Sequence, residues 1–178
     1  MAESKTSRHV FIVGFMGSGK TTAGRELARR KGWEFVDLDQ AIEQSSGRTV
    51  AAIFRGQGEP AFREMESAAL KQLLAPDSHK PRIIALGGGT FAQPGNLSQI
   101  NEAGAQVIAL DAPVGELLHR CRQQSGVERP LLKDDEQFRA LYTQRQKHYS
   151  TADFVVDTYQ RTIAQVVDEI ERYLRELE

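Results

Sequence analysis

Cysteine is nearly missing from this chain, which holds one, Cys121, in 178 residues. A single thiol excludes an internal disulfide and fits a reducing compartment. His119 lies two residues away and His9, His79 and His148 are scattered, so neither a zinc-ligand pattern nor a Cys–His nucleophile is supported. Long apolar runs are absent as well; none approaches the roughly 20 residues of a membrane-spanning helix. The first ten residues, MAESKTSRHV, carry no signal-like apolar segment. Charge of one sign is not in excess either: 23 Lys and Arg face 24 Asp and Glu, so no overall field favours nucleic acid or an anionic membrane. These absences predict a cytoplasmic protein with no nucleic-acid or membrane partner, in which any basic site is local. Repeats and low-complexity linkers are also lacking. With 40% hydrophobic residues, one domain over residues 1–178 with a single core is expected.

What is present is an alternation. The runs 9–13, 34–38, 82–86, 105–110 and 153–157 are short and almost continuously apolar, which suits strands buried on both faces of a parallel sheet. Helical patterns fall between them, at about 20–31, 59–74, 112–123, 135–149 and 162–177. Strand and helix in turn predict an open α/β sheet with right-handed crossovers, whose ligands bind at the carboxyl ends of the strands.

The residues at those ends carry chemistry. GFMGSGKTT follows the first strand: Gly14, four residues, then Gly19-Lys20-Thr21. Glycines allow backbone N–H groups to curl around phosphate oxygens, and the helix that follows aims its positive end at them. Lys20 is placed to reach the β/γ-phosphates and Thr21 to ligate Mg²⁺, so the loop 14–22 predicts a nucleoside triphosphate site. VDLDQ ends the second strand. On extended backbone Asp37 and Asp39 point the same way, suited to Mg²⁺ and an acceptor hydroxyl; alternatively Asp39 caps a helix starting at Gln40. Three glycines, Gly87, Gly88 and Gly89, end the third. They indicate either a close approach to the main chain or a tight turn.

Three arginines complete the pattern. Arg63 has Glu59 four residues before it and Glu66 three after, so a local helix ion pair accounts for it cheaply. Arg145 shares a helix face with Phe138, Leu141, Tyr142 and Tyr149, where an unpaired charge is costly. It needs an anion, from the protein or from a ligand. Arg129 sits in a polar stretch containing Gly126 and Pro130, read as a lid over about 122–134.

Taken in order, GFMGSGKTT, FVDLDQAIE, IFRGQGEPAFREME, GGGT, RPLL and Arg145 ahead of Tyr149 resemble the shikimate kinase family from the first strand to at least Asp157. The resemblance implies a three-layer α/β/α fold with a five-stranded parallel sheet, of the nucleoside-monophosphate-kinase type, closed by a lid. It implies transfer of the ATP γ-phosphoryl group to the 3-hydroxyl of shikimate, with Mg²⁺, by a monomer. Residue by residue, Gly17, Ser18, Gly19, Lys20, Thr21 and Thr22 would cradle the phosphates, with Asp37 near the metal and Asp39 at the acceptor hydroxyl. Arg63 and Arg145 would hold the shikimate carboxylate and Arg129 would descend onto ATP, while Arg122 and Arg161 would flank adenine. Gly87–Gly89 would let the substrate ring lie against main chain, with the Gly88 amide donating to it. Two other readings share parts of the pattern: another small-molecule kinase, such as a gluconate kinase, and an ATP-binding switch module.

Overall fold

Each of the five apolar runs is a strand in the computed structural model, which describes residues 9–75, 80–123 and 134–178. They are β1 (Val10–Gly14), β2 (Glu34–Asp37), β3 (Arg82–Ala85), β4 (Gln106–Asp111) and β5 (Phe154–Asp157). All pair in parallel, in the order β2-β3-β1-β4-β5. The seven helices of the described residues are α1 (Lys20–Lys31), α2 (Leu38–Ser46), α3 (Val50–Leu73), α4 (Pro94–Glu102), α5 (Val114–Gln123), α6 (Asp135–Tyr149) and α7 (Ile163–Glu176).

Side-chain alternation along β1 explains why its sequence shows no polar positions. Phe11 and Val13 face one core, with residues of α2 to α6; Val10 and Ile12 face the other, with α1 and α7. Both faces are covered, so both sets must be apolar. On the first face, Phe15 meets the rings of Phe138 and Tyr142 edge-on, with centroids 4.9 and 5.4 Å apart. That cluster ties the phosphate loop to the middle of α6.

Three helical segments depart from expectation. α2 follows β2 with no intervening loop, and α4 is nine residues long with Pro94 in its first turn; both are too short to show a clear apolar period. α3 starts at Val50, not near residue 59, with Thr49 capping it through Ala52 N. GQGEP reads as a breaker, yet the backbone bends only at Gly58 (φ 81°, ψ 172°) and helix resumes at once, with Pro60 where a helix start accommodates it.

β1 is flanked by β3 and β4, so the crossovers from β1 and from β3 run to opposite sides of it. The crevice at the carboxyl ends of these central strands is where such sheets bind ligands. Helix α6 reaches it through the ring cluster. Phe138→Ala should therefore cost about 3–5 kcal/mol, read as a lower urea midpoint with an unchanged slope.

Candidate active site

Backbone at the end of β1 is packed too tightly for side chains. At Gly14 (φ 144°) a Cβ would stand 2.3 Å from the Leu110 carbonyl oxygen; at Gly17 (φ 80°) it would stand 2.7 Å from that of Leu117. The loop is thus wedged between β4 and α5. Gly19 (φ 91°) turns it into α1, whose first turn holds no acidic residue, leaving the positive helix end for a ligand. Lys20 Nζ curls back to donate to the Phe15 carbonyl at 3.0 Å. Ser18, the inward member of the loop, is 1% exposed. A basin of about 280 Å³ opens in front, lined by Gly17, Lys20, Thr21, Asp37, Asp39 and Gly87 among others.

The two aspartates meet there by a different route from the one their spacing suggests. β2 ends at Asp37, and Asp39 already belongs to the first turn of α2. Asp37 Oδ1 accepts from Asp39 N (3.1 Å) and Gln40 N (3.4 Å), so the cap is Asp37 and the alternative of Asp39 as cap is corrected. Thr21 donates to the other Asp37 oxygen at 2.9 Å. Asp39 is left facing the basin, its Oδ1 buried and without a partner. Burial pushes its carboxyl up to about 6; the charges of Glu66 and Asp37 add to this, against Lys20 and Arg63. A carboxylate so placed can accept a hydrogen bond from a donor that enters the basin.

Gly87–Gly89 form a turn, with Thr90 N donating to Gly87 O at 3.1 Å, and they also admit a close approach. What approaches is protein. A Cβ on Gly87 would lie 2.8 Å from Asp39 Oδ1, on Gly88 2.8 Å from Arg145 Nη1, and on Gly89 2.6 Å from Arg63 Nη2. A side chain on any of the three would displace Asp39, Arg145 or Arg63.

Arg145 is 8% exposed, and among the described residues no carboxylate stands within ion-pair distance of it. Tyr149 approaches Gly88 beside it, its hydroxyl donating to Gly88 O at 2.5 Å. Burial lowers the Arg145 pKa below the ordinary guanidinium value and the charge of Arg63 adds to this, against Tyr149, Glu59 and Glu66. Arg63 does have local partners, Glu59 (Nη2–Oε1 2.7 Å) and Glu66 (Nη1–Oε2 2.6 Å). Both arginines line a hollow of about 580 Å³ with Gly89, Gln93, Gln144 and His148.

Glu66 was not a candidate, yet it is wholly buried. It accepts from Arg63, from Thr90 Oγ1 and from Gln93 Nε2 (3.1 Å), and it lies 3.2 Å from the same Gly87 Cβ position that Asp39 approaches. The available signal was its place on the apolar stripe Phe62–Glu66–Leu70 of α3, where a carboxylate has to be explained.

On the other side of the phosphate loop a hollow of about 370 Å³ is lined by Gly17, Arg120, Thr158, Arg161 and Ile163. Arg122 is not among its lining residues; it pairs instead with Asp135 at 2.5 and 2.6 Å. Arg120 does line the hollow, held by Thr158 Oγ1 (2.9 Å), Thr158 O (3.0 Å) and Glu116 (2.7 Å). Arg129 and most of the expected lid lie outside the described residues.

Against known proteins, the family model described as shikimate kinase matches residues 16–175. A shikimate kinase from Persephonella marina is 38% identical over 164 residues, covering 92% of this chain and 96% of that one. One from Geobacter sulfurreducens is 38% identical over 179 residues, covering 99% and 96%. Among solved structures, the shikimate kinase of Acinetobacter baumannii in complex with shikimate superposes with a TM-score of 0.86 at 33% identity, covering 96% of this chain and 94% of that one.

Two outcomes are expected. Between the ordinary carboxyl value of 3.8 and about 6, the native protein holds a proton on Asp39 that the unfolded chain has released, so stability rises as pH falls through 6. Above pH 6 the penalty is full. Asp39→Asn should then stabilise the ligand-free protein by about 1–3 kcal/mol at pH 8, a gap that closes toward pH 4 in urea melts. Second, Gly87→Ala should mainly lower kcat and Gly89→Ala mainly raise the acceptor KM, each by about tenfold to a hundredfold for a displacement near 1 Å. Steady-state kinetics decide; the reverse pattern would break the assignment of glycines to Asp39 and Arg63.

Proposed function

The chain belongs to the shikimate kinase family, and from that premise we propose how its residues share the work. The enzyme is an ATP-dependent phosphotransferase, and its reaction moves the ATP γ-phosphoryl group to the 3-hydroxyl of shikimate, a step toward chorismate and the aromatic amino acids. Gly17, Ser18, Gly19, Lys20, Thr21 and Thr22 hold the phosphates. Lys20, at the helix start, carries the charge that follows the γ-phosphoryl group. Asp39 takes the hydrogen bond of the acceptor hydroxyl and orients it for in-line attack. Arg63 and Arg145 clamp the carboxylate, and the Gly88 amide donates to the ring substituents beside Gly87 and Gly89. Arg129 descends from the lid at 122–134 onto the transferring group. Arg161 borders adenine, with Arg120 or Arg122 beside it.

Mg²⁺ fits the loop. Thr21 Oγ1 and Asp37 Oδ2 are hard oxygen donors 2.9 Å apart beside Lys20. Among the described residues no group of three His, Cys, Asp or Glu side chains would hold a metal unaided, as suits an ion whose other positions go to phosphate oxygens and water. When bound it neutralises charge on the β- and γ-phosphates. We also propose a monomeric cytoplasmic protein of one domain over residues 1–178, with no nucleic-acid or membrane partner. The balanced net charge of −1 supports the lack of a nucleic-acid or anionic-membrane partner, and no described helix is long and apolar enough to cross a membrane.

The observation that carries the proposal is Arg145, a buried cation with no carboxylate within ion-pair distance among the described residues, facing a hollow that a ligand anion would enter. The test is ADP release with Mg-ATP and a panel of shikimate, quinate, gluconate and nucleoside monophosphates. Only shikimate should turn over well, and Lys20→Ala should abolish turnover in a folded protein. The methyl ester of shikimate should lose about 1.5–3 kcal/mol in kcat/KM, the worth of a hydrogen bond to a charged group. Arg145→Ala should raise the shikimate KM with less change in kcat, because a contact remote from the reacting oxygen binds ground and transition states alike. Arg129→Ala should instead lower kcat by about 10³ or more. Equal performance of ester and acid would make both clamp arginines structural.

A further inference from the structure

The two arginines of the clamp are not in the same state. Arg145 has no carboxylate within ion-pair distance among the described residues, whereas the Arg63 guanidinium is occupied on two sides. On one, Nη1 meets Glu66 at 2.6 Å. On the other, Nε (3.1 Å) and Nη2 (2.7 Å) both donate to Glu59. That Nε–Nη2 edge is the side-on pair of parallel donors with which arginine takes a carboxylate in two hydrogen bonds.

The two glutamates hold Arg63 differently. Glu66 is 0% exposed and its carboxylate is shared with Thr90 and Gln93; letting go would strand a buried charge. Glu59 is 48% exposed. It meets both donors through a single oxygen, Oε1, so neither bond is a matched pair. It also follows Gly58, whose φ of 81° and ψ of 172° break α3 directly before it. And it borders the same hollow as Arg145. Its charge is felt by Arg145 as well.

We propose that Glu59 is a stand-in carboxylate: it occupies the side-on edge of Arg63 while the site is empty and yields that edge to the carboxylate of the incoming acid. This rests on the reading of Arg63 and Arg145 as the acid's clamp. A ligand carboxylate sets one oxygen on each donor where Glu59 sets one on both, and the displaced Glu59 is close enough to solvent to be hydrated at once. Glu66 stays in place throughout and keeps the guanidinium stacked over Gly89. Glu59 thereby sets the affinity for the acid: it keeps Arg63 paired and in position, weakens substrate binding by the strength of the pair it gives up, and returns to help the acidic product leave. The chemical class it selects for is an anion with two equivalent oxygens, able to outcompete a side-chain carboxylate.

The sign of one measurement separates this role from a merely structural one. Shikimate is titrated calorimetrically, without nucleotide, into the wild type, Glu59→Gln, Arg63→Gln and the double variant. Glu59→Gln should bind shikimate about two- to fivefold more tightly, the range of a partly exposed ion pair given up on binding. The gain should vanish in the Arg63→Gln background, because the effect runs through that side chain. Weaker or unchanged binding by Glu59→Gln makes Glu59 a strut for Arg63 and overturns the proposal. A gain that persists in the double variant assigns it to the general field of a removed charge and also overturns it. If Arg63→Gln alone binds shikimate as the wild type does, the clamp reading fails, and the stand-in with it.

Discussion

Everything at this site depends on the absence of three Cβ atoms. At the end of β3, Asp39, Arg145 and Arg63 each press to within 2.8 Å or less of the place where a side chain on Gly87, Gly88 or Gly89 would begin. The three come from α2, α6 and α3, and they converge because the strand end offers bare main chain to each. A carboxyl group and two guanidinium groups are gathered around one short turn, each carried by a helix. Rigid placement of this kind lets binding energy go into orientation rather than into ordering flexible groups.

Charge at the turn is arranged around one buried anion. Glu66 is wholly inside the protein and holds Arg63 on one side. On its other side it faces Asp39, and its charge is among the causes that raise that carboxyl to about 6. The same carboxylate therefore steadies the Arg63 guanidinium and destabilises the ionised form of Asp39. Sites that act on substrates carry such internal conflicts, with stability given up where chemistry is wanted. Arg145 shows a second one: it is buried beside another cation, and burial depresses its pKa.

The phosphate end is built on different terms. There the backbone itself is the binding surface, and the neighbouring strand and helix leave room for nothing else: Gly14 abuts Leu110 and Gly17 abuts Leu117. Phe15, between those glycines, turns the other way into the core and meets Phe138 and Tyr142 of α6. Seven residues on from Phe138 along the same helix is Arg145. This aromatic contact thus ties the loop after β1 to the helix that carries Arg145.

Periodicity and local backbone rules are written along the chain, and what they govern was legible in it. β1 to β5, the phosphate loop, α1, α6 and α7 all follow from runs whose spacing is set by their own covalent neighbours. The inward face of Arg145 followed from the same helical count. Other features depend on which atoms fill space across elements, and no spacing encodes that. Asp37, and not Asp39, caps α2, because β2 ends where its pairing with β3 ends, at Asp37 beside Ala85. Arg120 lines the hollow beside the phosphate loop because Thr158, 38 residues away, is there to hold it. The partners of the three glycines lie 48, 57 and 26 positions from them in the numbering, at Asp39, Arg145 and Arg63. The sequence by itself determined that bare backbone was needed at the end of β3. Only the packing of three helices against that strand decided what it was needed for, because close contact between distant segments is a property of the assembled volume and not of the chain.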